Sequence, residues 1–195
     1  MQIEPIVLAG KHVRLEPLTE SHAEDLLVAA QSDDIWRYMP TLPPKTLENM
    51  QTIIATALAL RATGTQMPFA IIDQASQKAI GGSRYLDIQP TNKGLEIGWT
   101  WLGQDYWRSP RNTECKYLLL SHAFEEQGAI RVQLKTDRRN QRSQLAIERI
   151  GGVKEGVLRQ VVIMPDGYLR DSVYYSILDG EWPGVKHRLE TILGK

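Results

Sequence analysis

A chain of 195 residues suits one domain with a substantial hydrophobic core. Its 42% hydrophobic and 24% charged residues are ordinary for a globular protein, and 23 Lys plus Arg balance 23 Asp plus Glu, so bulk charge gives no argument for a nucleic-acid partner. One cysteine, Cys115, excludes an internal disulfide and fits a reducing compartment. The amino terminus lacks the apolar core of a signal peptide, and the best apolar stretch, residues 53–60, is too short to span a bilayer, so a cytoplasmic protein without a membrane partner is expected.

Residues 12–19 alternate Val13, Leu15 and Leu18 with charged neighbours, the pattern of a first strand. Thr19 is a candidate N-cap for a helix that places Ala23, Leu26, Leu27 and Ala30 on one face. Pro40, Pro43 and Pro44 then break the chain, and residues 46–61 form a second amphipathic helix through Leu47, Met50, Ile53, Ile54, Ala57 and Leu58. Residues 67–73, 78–90 and 93–103 read as three strands, the last carrying Glu96. A helix is expected from about Thr113, with Tyr117, Leu119, Leu120, Ala123 and Phe124 at helical spacing and Asn112 or Thr113 as its N-cap.

Residues 130–137 form the next strand through Ile130, Val132 and Leu134; residues 140–152 form a helix through Leu145, Ala146 and Ile150, ended by glycine. Pro165-Asp166-Gly167 between two alternating runs predicts a hairpin, and a helix from Trp182 to Leu193 closes the chain. The strand–helix–strand unit over residues 95–137 implies a right-handed parallel crossover, and the hairpins make the rest antiparallel. The expected architecture is a mixed α/β sheet with helices on both faces.

The loop before the Thr113 helix holds Arg108, Pro110 and Arg111 where glycine often exposes backbone to an anion. Free amides at a helix start and two planar guanidinium forks could hold a phosphate together. Residues 108–142 carry eight basic side chains against four acidic ones, which supports that reading, although solvated helix faces explain charge of this kind as well. The four histidines are scattered without metal-ligand spacing, and Gly81-Gly82 lies between strands, so neither a metal site nor a dinucleotide fingerprint is expected.

Asn140, Ser143, Ala146, Ile147, Gly151, Gly152, Glu155 and Gly156 together resemble the C-terminal signature of the GNAT N-acetyltransferase superfamily, particularly its RimJ/RimL-like branch. Residues 95–109 resemble the fourth strand and following loop of the same branch, and element order corresponds from Val13 to Trp182. The resemblance implies a single GNAT domain over residues 1–195, its mostly antiparallel sheet splayed between the fourth and fifth of the strands above. It implies direct transfer from acetyl-CoA to a primary amine, a protein N-terminus or a small molecule, in a ternary complex without metal. By position, Trp99, Thr100, Trp101 and Leu102 would pair with the pantetheine arm, and Trp107, Arg108, Ser109, Arg111, Asn112 and Thr113 would surround the pyrophosphate. Both glycines customary in that loop are missing, which raises the alternative of a catalytically silent acyl-CoA sensor. Asn140, Ser143 and Ile147 would border the cofactor arm, Glu96 would act as base and Ser143 as proton donor. Read as plain structure, Asn140 is a helix N-cap, Ser143 a first-turn residue and Glu96 a strand-surface carboxylate. Trp36 and Tyr38 would line the acceptor pocket, and the fold's sheet edge or terminal hairpin suggests a homodimer.

Overall fold

A computed structural model describes all 195 residues. The chain runs through β1 (Leu8–Ala9), β2 (Val13–Pro17), α1 (Ala23–Ala29), the single turn α2 (Asp33–Trp36) and α3 (Leu47–Ala62). Next come β3 (Met67–Asp73), β4 (Ala79–Gln89), β5 (Gly94–Leu102), α4 (Pro110–Ser121), β6 (Arg131–Asp137) and α5 (Gln141–Arg149). The hairpin β7 (Val153–Ile163) and β8 (Leu169–Leu178) and then α6 (Trp182–Leu193) complete it. The strands form one eight-stranded sheet in the order β1-β2-β3-β4-β5-β6-β8-β7, in which β5 and β6 are parallel and every other pair is antiparallel.

The sheet divides the core in two. Leu26, Trp36, Met50, Ile54 and Ile72 pack α1–α3 on one face, while Leu119, Leu120, Ile147, Val185 and Leu189 pack α4–α6 against Leu15, Ile97 and Val132 on the other. Strand alternation feeds both: β3 is buried along its whole length and sends successive side chains to opposite cores. Each Leu or Ile so buried contributes about 1.5–3 kcal/mol. No helix is long and apolar enough to cross a membrane.

Local signals explain most boundaries. Thr46 accepts from the Asn49 amide at 3.2 Å and caps α3, and Thr19 forms a capping box with His22. The Pro165-Asp166-Gly167 turn closes through Gly167 N–H to the Met164 carbonyl at 2.8 Å, with Gly167 at φ +82°. Gly81 admits the close approach of β5: a Cβ there would lie 2.1 Å from the Trp101 carbonyl oxygen. Glu114, on α4, accepts from the amides of Lys11, His12 and Val13 at 2.9, 2.5 and 2.9 Å, so one buried carboxylate fixes α4 against the first strand turn.

Three expectations change. Ile130, expected among the apolar residues of its strand, precedes β6 and is 48% exposed. α4 begins at Pro110 with Ser109 as N-cap, not at Asn112 or Thr113. Proline at the first helical position has no amide to lose, and the polar first turn carries no apolar period that would reveal it. Leu145, expected on the buried face of α5, is 66% exposed; Ile150, just past the helix, is buried as expected, and Ile147 takes the place of Leu145 in the core.

Candidate active site

β5 and β6 are joined only through Gly94–Arg131, Leu95–Val132 and Glu96–Gln133. Beyond Glu96 the two strands part, leaving a cleft whose mouth faces the starts of α4 and α5. The register between β4 and β5 shifts where Gly82 pairs with Trp101 but Arg84 pairs with Gly98, so β5 uses one extra residue there. Trp99 takes φ +50°, the left-handed geometry that completes this bulge. The expected splay between these strands is therefore present, and Trp99, Thr100, Trp101 and Leu102 form its β5 wall. The Leu102 carbonyl already accepts from the Trp107 indole N–H at 2.9 Å, and the Thr100 hydroxyl lies 2.8 Å from that of Ser83.

The arginine-rich loop solves a backbone problem without glycine. Arg108 itself adopts φ +57° and stays exposed, and Ser109 donates its hydroxyl to the Tyr106 carbonyl at 2.6 Å. No side chain caps α4, so its first amides stay free for an anion. Arg111 turns aside: its Nε meets Asp73 at 2.7 Å and its guanidinium stacks over Tyr106 at 5.1 Å. Burial opposes ionisation of Asp73, but Arg111 and then the Ser76 hydroxyl and amide outweigh it and hold its pKa below the usual range. Asn112 is half-buried and Thr113 buried in the first turns of the helix. Arg149 of α5, which sequence reasoning did not select, donates to the Thr113 hydroxyl at 2.9 Å and brings a second guanidinium to this helix start.

Asn140 caps α5, its side-chain oxygen accepting from the Ser143 amide at 3.0 Å. Ser143 is half-buried in the first turn, and Ile147 packs into the core below. Glu96, at the fork of the cleft, is buried; it accepts from Gln133 at 2.9 Å and pairs with Lys135 at 3.0 Å.

Two adjoining cavities, sharing Asp34 and Arg37, open on the α1–α3 face. One, of about 390 Å³, lies between Trp36 and the Met164–Asp166 turn and carries Asp33, Asp34 and Asp166 on its walls. The other, of about 400 Å³, brings Tyr38, Trp107 and Asn140 together with Arg37, Arg139 and Arg142. Trp36 and Tyr38 thus line neighbouring cavities rather than one. The Trp36 indole donates to Ala30 at 2.9 Å and its ring sits 5.2 Å from that of Trp101. Arg139 is pinned by Asp137 at 2.7 Å and stacks on Tyr168 at 3.6 Å, and its guanidinium lies 5.7 Å from the Tyr38 ring. Arg142 covers Trp107 at 3.7 Å. The basic run over residues 138–142 was the only trace of these arginines in the sequence. No group of three His, Cys, Asp or Glu side chains is placed to hold a metal.

The acetyltransferase (GNAT) domain model matches residues 12–153. A protein of T. thermophilus provisionally named an acetyltransferase is 41% identical and superposes with a TM-score of 0.90, over 99% of this chain and all 100% of that one. A GCN5-related N-acetyltransferase from Brucella melitensis is 30% identical with a TM-score of 0.92, over 98% of this chain and 86% of that one. The Bacillus subtilis (strain 168) protein provisionally named ribosomal N-acetyltransferase YdaF is 33% identical over 100 residues, 51% of this chain and 54% of that protein, so the match spans about half of YdaF. The class is that of the acyltransferases. The chain belongs to the GNAT acetyltransferase family, as its signature residues implied.

Proposed function

We propose that this chain moves an acetyl group from acetyl-CoA to a primary amine by direct attack within the cleft between β5 and β6. The observation that carries this reading is the parting of the two strands beyond Glu96, with a bulge on one wall and the uncapped start of α4 at the mouth. Coenzyme A fits these residues. Free backbone on the β5 edge suits the pantetheine amides; the α4 amides with Arg108 and Arg149 suit the phosphates; Asn140 and Ser143 border the arm. Acetyl-CoA supplies the activated acyl group. Arg111, committed to Asp73, contributes rigidity to the loop more than charge to the ligand.

The acceptor enters from the opposite face, past Trp36 and Tyr38. Asp33, Asp34 and Asp166 favour a cationic amine in the outer cavity. Such an amine must lose a proton before attack. Glu96 is the base in this scheme, directly or through water, and the incoming ammonium competes with Lys135 for its carboxylate. Ser143 returns a proton to the thiolate. YdaF is named a ribosomal N-acetyltransferase, so peptides with free N-termini belong in the test beside polyamines and amino acids.

Thiol release from acetyl-CoA on addition of an amine panel is the direct assay. Glu96→Gln is expected to lower kcat by about 10²–10⁴-fold while leaving coenzyme A affinity within about twofold. Undiminished turnover in that variant removes Glu96 from the chemistry. Coenzyme A binding without thiol release for any amine leaves a silent acyl-CoA module.

A further inference from the structure

The buried acids of this protein are all satisfied. Asp73 meets Arg111, Glu96 meets Lys135, Asp137 meets Arg139, and Glu114 takes amides of the β1–β2 turn. Two buried cations have hydrogen-bond acceptors but no carboxylate beside them. Lys116 and Arg84, 7% and 8% exposed, form no ion pair, and burial with no carboxylate to offset it pushes both pKa values down, that of Arg84 to about 10. Arg170 is buried as well, but Asp137 and Glu96 lie near enough to act on it. An isolated buried charge costs several kcal/mol, so two at one place need a reason.

Both meet the β5 bulge, from opposite faces of the sheet. Ser83 and Arg84 are successive residues of β4, and Tyr85 reaches the Leu119 carbonyl of α4 at 2.6 Å. Ser83 and Arg84 therefore point to opposite sides, with Arg84 on the face of α1–α3. Beneath the bulge, the Lys116 ammonium donates to the Thr100 hydroxyl, which contacts Ser83 at 2.8 Å. Above it, the Arg84 guanidinium lies 4.5 Å over the Trp99 ring and donates to Gln66 at 3.3 Å. Trp99 and Thr100 are thus held between two unneutralised cations.

In the reaction proposed above, on which this inference rests, negative charge appears beside this bulge twice. The amine nitrogen attacks the thioester carbon, and the C=O π pair moves onto oxygen. The oxyanion then collapses, the C–S bond breaks with its pair on sulfur, and the proton shed by the amine balances the thiolate to give amide and free coenzyme A. A preorganised positive field at that point lowers the energy of charge that forms in the transition state and needs no rearrangement to do so. We infer that Lys116 and Arg84 are positioning residues that hold the β5 bulge electropositive from both faces and so stabilise the oxyanion and the departing thiolate. Neither touches the reacting atoms; each acts through Thr100 or Trp99.

The test uses Lys116→Met, Arg84→Met and the charge-retaining Lys116→Arg, with thermal melting as the check on folding. Each Met variant is expected to lower kcat about tenfold, with KM for acetyl-CoA changed less than about twofold, and Lys116→Arg to recover most of the loss. A second readout is the thiol pKa of enzyme-bound coenzyme A, followed by thiolate absorbance in the ultraviolet. It should lie below that of free coenzyme A in the wild type and rise by about one unit in Lys116→Met. Cys115 does not interfere, because burial pushes its thiol up to about 11. If Lys116→Met fails to fold, Arg84→Met reads the same field from the opposite face. Unchanged kcat and bound-thiol pKa in the folded Met variants overturn the inference, as does a fall in kcat with the bound-thiol pKa unmoved, which marks a structural role. Failure of wild type to bind coenzyme A overturns the cofactor reading itself, and binding with an undisturbed thiol pKa in every variant overturns only this inference.

Discussion

At the scale of single residues, the site is organised by carboxylates that hold arginines in place. Asp137 is 1% exposed and takes both the Arg139 fork, at 3.0 and 2.7 Å, and the Arg139 amide at 2.8 Å. That grip places Arg139 against Tyr168 and near Tyr38, whose carbonyl also accepts from Arg170 at 3.3 Å. Burial opposes the Asp137 charge, but the Arg139 side chain and amide, with Arg170 beyond, hold its pKa below the ordinary 3.8. A depressed carboxylate pKa contributes stability that is complete above the unfolded value and is lost as pH falls through the folded one. Asp137→Asn should therefore lower Tm at pH 7, with a cost of about 1–3 kcal/mol for the weakened partner set. It should also lose less Tm than wild type between about pH 5 and pH 2. Parallel melting curves across that range in both proteins would remove Asp137 from the acid transition.

At the scale of elements, α5 and α4 show what a sequence exposes and what it hides. α5 was legible because its signals are local: Asn140 caps it and Gly151, at φ +102°, ends it. The start of α4 was hidden because its first turn, Pro110-Arg111-Asn112, has no apolar member, although Ser109-Pro110 is itself an N-cap and first-turn pair. Side-chain partners in the site were hidden for a different reason. Arg111 finds Asp73 38 residues away and Glu96 finds Gln133 37 residues away, across a sheet order that local pattern does not determine. In the sequence Lys116 is one more helix charge, because its partner, Thr100, sits on a bulge that only strand register creates.

The loop before α4 joins both lessons, since Arg108 at φ +57° carries the backbone geometry glycine would adopt freely. Arg108→Gly should relieve about 1 kcal/mol of strain and raise Tm by about 2–4 °C. It should also weaken coenzyme A binding several-fold, most at low salt, where the lost charge is least screened. A gain in Tm with affinity intact would make the loop a connector; a drop in Tm would contradict the strain.

At the scale of the whole molecule, the same gap that makes a site also weakens the sheet. Only three residue pairs stitch β5 to β6, whereas β6 pairs with β8 along its full length from Arg131 to Asp137. The strands β1–β5 with α1–α3 and the strands β6–β8 with α5 and α6 are thus two blocks, spanned on one face by α4 and its packing on α6. A ligand that bonds the free edge of β5, the start of α4 and the start of α5 touches both blocks and replaces the missing ladder. Binding to the native state alone stabilises by about 2.7 kcal/mol at one hundred times Kd. For a chain of this size that corresponds to a rise in Tm of about 5–10 °C. The same rise should appear in Glu96→Gln, because Glu96 lies at the fork and not on the ligand edge, and it should shrink in Arg108→Gly. Hydrogen exchange should slow along Trp99–Leu102 when coenzyme A is present, since that edge of β5 has no β6 ladder and a bound ligand would supply one. Melting temperature and exchange both indifferent to coenzyme A would mean that the parting of β5 and β6 is closed by something other than this cofactor, and the assignment of the cleft would fall with it.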